Sequence, residues 1–353
     1  MTTTKTFTYS HTIGFLAGTG RGFLNPVDLA INSKGVIYVL NRAGPETPIR
    51  LPSKRVSMCT LDEEFLGEFG TGGTGDGEFW WPSSIAIDSQ DRVYVADEGL
   101  QRVTIFSKDG EYLSHWGEKG SGQGQLEYPS GLAFDKNDNL WLTDSGNHRV
   151  QKFTRDGAFI SAWGKRGSGP GQFDGPWGLA LTGAGDVYVS DWGNDRIQRY
   201  DADGGLIEEF DGLPAGDAIH QPAGLSVDGD GNIYIADWGN ERVKVLGPDG
   251  SLLATLRGDS VDSKWAADYF EVNPEEGRLR YEADLFPELD PPGRRDREIS
   301  AGVEGFFWGP TAVKLDGQGR LYVADSLRHR LQIYEGPALS PAAEPCPSST
   351  RCL

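Results

Sequence analysis

The sequence predicts an all-β fold: a six-bladed β-propeller closed by its own N-terminal strand, with a helical insertion before the last blade. Three observations carry that expectation. A unit of four short apolar runs recurs along the chain, most intervals between units stay near 47 residues, and the residues left over at the two ends supply one further strand. Glycine contributes 49 of 353 residues, a density expected of many short strands joined by tight turns.

Each unit opens on a proline-led run: PVDLAIN from Pro26, PSSIAID from Pro82, PSGLAFD from Pro129, PWGLALT from Pro176, PAGLSVD from Pro222 and PTAVKLD from Pro310. A second run follows a Gly/Asp/Asn turn and closes on Asn41, Asp97, Asp144, Asp191, Asp237 or Asp325. Third runs share an arginine, as in QRVTIF, HRVQKF, DRIQRY, ERVKVL and HRLQIY, and fourth runs such as EYLSHWG and AFISAWG precede a Gly-rich loop. Runs of this length, rich in Val, Ile, Leu, Tyr and Phe and bounded by turn residues, are strands.

From Asp97 the landmarks step by 47, 47 and 46 residues to Asp237, while the first interval is 56 and the last 88. The 41 residues up to and including Asn41 and the 28 after Asp325 make 69, one period plus 22, of which 17 form a Pro/Ser/Ala-rich tail and five are Met1–Lys5. What remains is a strand near Thr6 to Gly14, predicted to complete the last blade and remove the open sheet edges. One domain is therefore expected over 6–335, with 336–353 a disordered tail of low apolar content.

The two long intervals mark insertions near Arg42 to Lys54 and near Gly258 to Gly305. Strands alternate in direction, so a loop after a second strand and a loop before a first strand emerge on the same face, where elaborated loops most often carry function. In the longer insertion, SKWAADYFEV follows Asp262 and Ser263, and Asn273-Pro274-Glu275-Glu276 has the cap, first-turn proline and acidic turn of a helix start. It reads as a helical lid or, from the likeness of YEAD to YVAD, as a degenerate seventh blade. It holds 13 acidic and 6 basic residues, so −7 of the chain's charge.

With 33 Lys and Arg against 52 Asp and Glu the formal net charge is −19, which disfavours a nucleic-acid partner. No apolar run approaches the roughly 18 residues of a membrane span, and the N-terminus lacks the basic and apolar regions of a signal peptide, so a cytoplasmic location is expected. Cys59, Cys346 and Cys352 are expected to be free thiols. The Asp landmarks and the arginines five residues on, Arg102, Arg149, Arg196 and Arg242, recur in every blade and are expected to be scaffold pairs.

The P-x-G-L-A-x-D, x-Y-V-x-D and N-x-R-V runs resemble NHL repeats, whose family forms six-bladed propellers and includes enzymes, ubiquitin-ligase targeting domains, RNA binders and bacterial sensor domains. In family amidating lyases the place after the blade proline holds zinc-binding histidines, and in gluconolactonase-like propellers a comparable place holds calcium ligands. Here that ring reads Val27, Ser83, Ser130, Trp177, Ala223 and Thr311, and the five histidines are scattered, so zinc is not expected; a calcium held by carbonyls and carboxylates needs no motif. The ring after the second strand reads Arg42, Glu98, Ser145, Trp192, Trp238 and Ser326.

Candidate ligand-binding residues are Trp177, Trp192, Trp238, Ser145 and Ser326, because aromatic residues around a concave mouth hold flat, apolar or cationic groups. Asp28, Arg42 and Glu98 are the candidates for acid/base or electrostatic work. Three functions stand: a propeller that binds a small molecule or peptide, a lyase or hydrolase of the lactone, ester or amide class, and an RNA binder, which the charge disfavours.

Overall fold

In the computed structural model the proline-led runs are the innermost strands of six sheets, each of four antiparallel strands. The described residues are 6–44, 52–211, 213–214, 216–259, 261–285, 287 and 296–336, so most of the tail, Cys346, Cys352 and parts of both insertions lie outside them. The first blade comprises β2 (Pro26–Ile31), β3 (Ile37–Arg42), β4 (Lys54–Cys59) and β5 (Phe65–Phe69). In the sixth blade β1 (Thr8–Ile13) lies antiparallel to Arg330–Glu335, the closure expected from the sequence.

Burial falls from the inside outward. Second strands such as Val93–Asp97, Val187–Asp191 and Leu321–Asp325 are buried throughout, whereas outer strands such as Phe159–Trp163 alternate toward solvent. The reason is stacking: one core joins Val27, Tyr38 and Leu40 of the first blade to Ile85, Val93 and Phe106 of the second. Each sheet's two faces are thus covered by its neighbours, and its second strand is apolar on both sides.

The glycine of P-x-G-L has a steric cause. A Cβ at Gly178 would stand 2.3 Å from the Ala223 carbonyl oxygen, and one at Gly131 2.4 Å from that of Trp177. First strands of neighbouring blades approach too closely there for any side chain.

The Asp landmarks are scaffold. Asp191, fully buried, accepts from Asp174 N at 2.7 Å, Asn194 Nδ2 at 2.8 Å, Arg196 Nε at 2.9 Å and Gln198 Nε2 at 3.0 Å. Asp144, Asp237 and Asp325 likewise pair with Arg149, Arg242 and Arg330. The second blade departs from the expected pairing. Asp97 takes four backbone N–H groups, from Trp80, Trp81, Gly99 and Leu100, and Arg102 Nε has no hydrogen-bond partner among the described residues. Leu100 stands where blades three, four and five have Asn147, Asn194 and Asn240, which fold their side chains onto the Asp, so the turn offers amides instead.

A second repeated contact joins blade to blade. Gln101 Oε1 accepts from Tyr128 N at 2.7 Å, His148 Nδ1 from Gly175 N at 3.1 Å, Asp195 Oδ1 from Gln221 N at 2.8 Å and His329 Nδ1 from Asn25 N at 3.0 Å. Glu241 makes the same bond to Gly309 N. Every donor immediately precedes a blade proline, and donors and acceptors alike have left-handed φ, from 47° to 73°. Each joint is a single-residue bend whose otherwise buried N–H is satisfied by the preceding blade.

Accepting that bond requires His329 Nδ1 to be unprotonated. Burial, and then the Arg328 charge, lower the His329 pKa below its ordinary 6.5. The neutral joint therefore contributes stability above pH 6.5, and that stability is lost as pH falls through the lower folded-state value. His329→Gln, which installs the amide oxygen used at Gln101, is expected to flatten the loss of melting temperature between pH 7 and 5. Parallel wild-type and variant melting curves across that range would reject the assignment.

The insertion is helical, and the seventh-blade alternative fails because the YEAD segment runs out of a helix. The helices are α1 (Lys264–Val272), α2 (Pro274–Glu282) and α3 (Asp296–Gly302). Ser263 caps α1 by accepting from Ala266 N, and Pro274 stands at the start of α2 with Glu275 and Glu276 in its first turn. The Glu63 carboxylate accepts Lys264 N at 2.9 Å, and Trp265, 3% exposed, packs on Phe23 and Phe65. Thus α1 sits in the seam between the sixth and first blades. α3 is held on the sixth blade by Arg328, which donates to the Ser300, Ala301 and Val303 carbonyls. Among the described residues, none of the insertion lines the central channel.

Candidate functional site at the channel mouth

The channel is narrow. Its cavity of about 20 Å³ lies among Val27, Asp28, Ser84, Gly131, Trp177 and Lys314, with other first-strand residues. That is room for one water, far below the ~300 Å³ of a small-molecule pocket, so an organic ligand is accommodated at the mouth and not in the lumen.

The lumen has two unlike halves. Blades three, four and five present Gly131, Gly178 and Gly224 at the close approach of their first strands, whereas blades one and two present Asp28 and Ser84 at the same repeat position. Asp28 is buried; it accepts from Ser84 Oγ at 2.7 Å and Ile85 N at 3.0 Å and lies 3.3 Å from Lys314 Nζ. Asp28 therefore belongs to a charge pair inside the channel and does not join Arg42 and Glu98.

Arg42 and Glu98 do meet. Arg42 ends β3 and Glu98 follows the second strand of the next blade, and Arg42 Nη1 stands 3.6 Å from Glu98 Oε1. The Arg42 guanidinium carbon is 5.0 Å from the centre of the Trp81 ring and 6.0 Å from that of Trp177. Trp177 comes from the fourth blade, across the axis from the first, so a cation and two indoles span the mouth. Arg42 Nη1 is buried without a hydrogen-bond partner among the described residues. Lys54 Nζ lies 5.4 Å from Trp81 and donates to the Trp80 carbonyl at 2.7 Å, and burial lowers its ammonium pKa despite the nearby Asp97.

Beside it is a second arrangement. Trp177 and Trp238 flank one core, and Trp238 carries Arg297 of α3 at 4.5 Å. Arg297 Nη1 lies 3.2 Å from Glu241 Oε1, whose carboxyl is pushed up to about 7 by burial, although the Gly309 N–H and Arg297 pull it back. Trp192, Ser145 and Ser326 begin the short turns after their second strands. Trp192 has no ring contact with the mouth tryptophans, and Ser326 is buried. Glu241 and Arg297 were not among the expected site residues. The signal for Glu241 stood in the third runs, whose first letters Q, H, D, E and H are all acceptors.

Cys59 is a buried free thiol with its pKa pushed up to about 12 by burial, and among the described residues no three His, Cys, Asp or Glu are grouped to hold a metal ion.

Several known proteins are similar. NHL repeat-containing protein 3 of Homo sapiens is 33% identical over 81 residues, 23% of this chain and 22% of that protein, so the match spans under a quarter of the relative. A streptogramin B lyase covers 94% of this chain and 98% of its own at TM-score 0.57 and 10% identity. A catalytically inactive virginiamycin B lyase from Staphylococcus aureus, solved with quinupristin, covers 94% and 89% at TM-score 0.55 and 13% identity. A protein of unknown function from Bacteroides thetaiotaomicron covers 94% and 76% at TM-score 0.61 and 20% identity. At these identities the structural likeness is one of fold. The NHL repeat model matches residues 79–106, 126–153, 173–200, 220–246 and 307–334, five of the six blades, and the chain belongs to the NHL-repeat family.

Proposed function

We propose that the protein binds a small molecule or peptide at the channel mouth on the insertion-bearing face. The carrying observation is the Arg42 guanidinium set against Trp81 of the neighbouring blade and Trp177 of the opposite one, with one buried donor lacking a hydrogen-bond partner among the described residues. Two indoles supply flat apolar contact, and the guanidinium supplies directional donors in a site partly removed from water. The binding needs no cofactor. Tryptophan fluorescence during titration with N-acetyl amino acids and short peptides tests it. A saturable change is expected in the wild type, with affinity at least tenfold weaker in Arg42→Ala or Trp177→Ala; unchanged affinity in both variants would reject the site.

A second reading, a lyase or hydrolase at the same mouth, draws on the lyase folds among the similar structures and on Glu98 beside Arg42 as a base and electrophile pair. Mass spectrometry of quinupristin after incubation separates the two. Intact quinupristin is expected, and turnover that disappears in Glu98→Gln would replace binding by catalysis.

A further inference from the structure

We propose that the mouth selects carboxylates, so that the ligand is an organic acid or peptide C-terminus whose carboxylate docks on Arg42 and whose apolar body lies against Trp177. The inference rests on the mouth being the binding site. The Arg42 guanidinium carbon is within 5.0 and 6.0 Å of two indole centres, so the rings occupy space beside the cation. Its N–H donors point outward in the guanidinium plane, which is the geometry that a carboxylate meets with two parallel bonds. One of those donors, Nη1, is buried and makes no hydrogen bond among the described residues. A buried donor left unsatisfied is costly, and an incoming acceptor recovers that cost.

Glu98 sharpens the choice of acceptor. Its Oε1 is 3.6 Å from Arg42 Nη1, beyond hydrogen-bond length, so the pair is electrostatic and leaves the donor open. A second carboxylate on the same guanidinium is opposed by the Glu98 charge, and a phosphate dianion is opposed about twice as strongly. The chain's formal charge of −19 adds to that penalty for multiply charged anions. A singly charged, planar acceptor is the best match. The indoles then take an aromatic or acyl body, while the channel beneath, with room for about 20 Å³, admits none of it.

Calorimetric titration with N-acetyl-L-phenylalanine and with its primary amide tests the proposal, because the two probes share one apolar body and differ only in carrying a carboxylate or a neutral carboxamide at one end. The wild type is expected to bind the acid at least tenfold more tightly than the amide. Arg42→Gln should abolish that preference, whereas Glu98→Gln, which removes the competing charge, should tighten the acid several-fold and leave the amide unchanged. Equal affinity for acid and amide, or a preference that survives Arg42→Gln, overturns the proposal. If both probes bind equally and both weaken in Trp177→Ala, the mouth remains the binding site and only carboxylate selection falls. Binding of neither probe also overturns the proposal, while the mouth itself is judged by the peptide titration above.

Discussion

Asp191→Ala is expected to destabilise the protein by about 3–5 kcal/mol, measured by chemical denaturation, the range for removing one partner of a buried ion pair. The substitution leaves four donors without their acceptor, Asp174 N, Asn194 Nδ2, Arg196 Nε and Gln198 Nε2. Arg196 is nearly fully buried and, among the described residues, keeps only Glu209, at 2.8 Å, as a carboxylate partner. Burial itself raises the Asp191 pKa, and the Asn194, Asp174 and Arg196 donors oppose that rise. The carboxylate is therefore tolerated because of its donors, and they are tolerated because of it. The first blade supplies a natural control. Asn41 occupies the equivalent position, accepts from Leu24 N at 2.8 Å and donates to the Val39 and Arg55 carbonyls. Asp191→Asn should therefore cost clearly less than Asp191→Ala. Equal losses would mean that cavity formation, and not lost acceptance, dominates.

Deleting residues 1–14 is expected to abolish the compact fold. β1 pairs Thr8 with Glu335, Tyr9 with Tyr334, His11 with Ile333, Thr12 with Gln332 and Ile13 with Leu331, so its loss leaves Arg330–Glu335 as an open sheet edge. It also uncovers the seam core, where Ile13 and Phe23 are fully buried beside Leu331 and Ile333. Aggregation or an expanded species in size-exclusion chromatography is the expected result. A permuted chain in which residues 6–14 follow residue 336 through a short turn should recover the compact fold, because the same ladder then forms as a hairpin. A compact species from the simple deletion, eluting as the undeleted protein does, would show that α1 and the remaining blade contacts suffice to hold the ring.

What the sequence made legible was whatever repeats or is local. Val93–Asp97 and its counterparts are strands because each is apolar on both faces, and the regular step between aspartates counted the blades. Ser263 and Pro274 announced their helices, because caps act on the nearest turn. Interactions across the axis were not legible. Arg42 and Trp177 are 135 positions apart and meet only because the closed ring sets the fourth blade across the mouth from the first. Asp28 was grouped with Arg42 and Glu98 from its place near a blade proline, yet one step along a strand turns it from the mouth into the lumen, toward Lys314. Trp192 and Trp238 hold the same repeat position, but only Trp238 has α3 beside it, and nothing local in either turn distinguishes them.

The closing strand also sets a clock on synthesis. Thr8 is translated 327 positions ahead of its partner Glu335. At roughly 5–20 residues per second, β1 waits on the order of 15–65 s before its ladder can form. During that wait, sheets one to five can each assemble from contiguous chain, while the six-residue strand β1 must avoid every other open edge. The alternation of Thr8–Ile13, polar at its start and apolar only at its end, suits a segment that stays solvated until the last blade arrives.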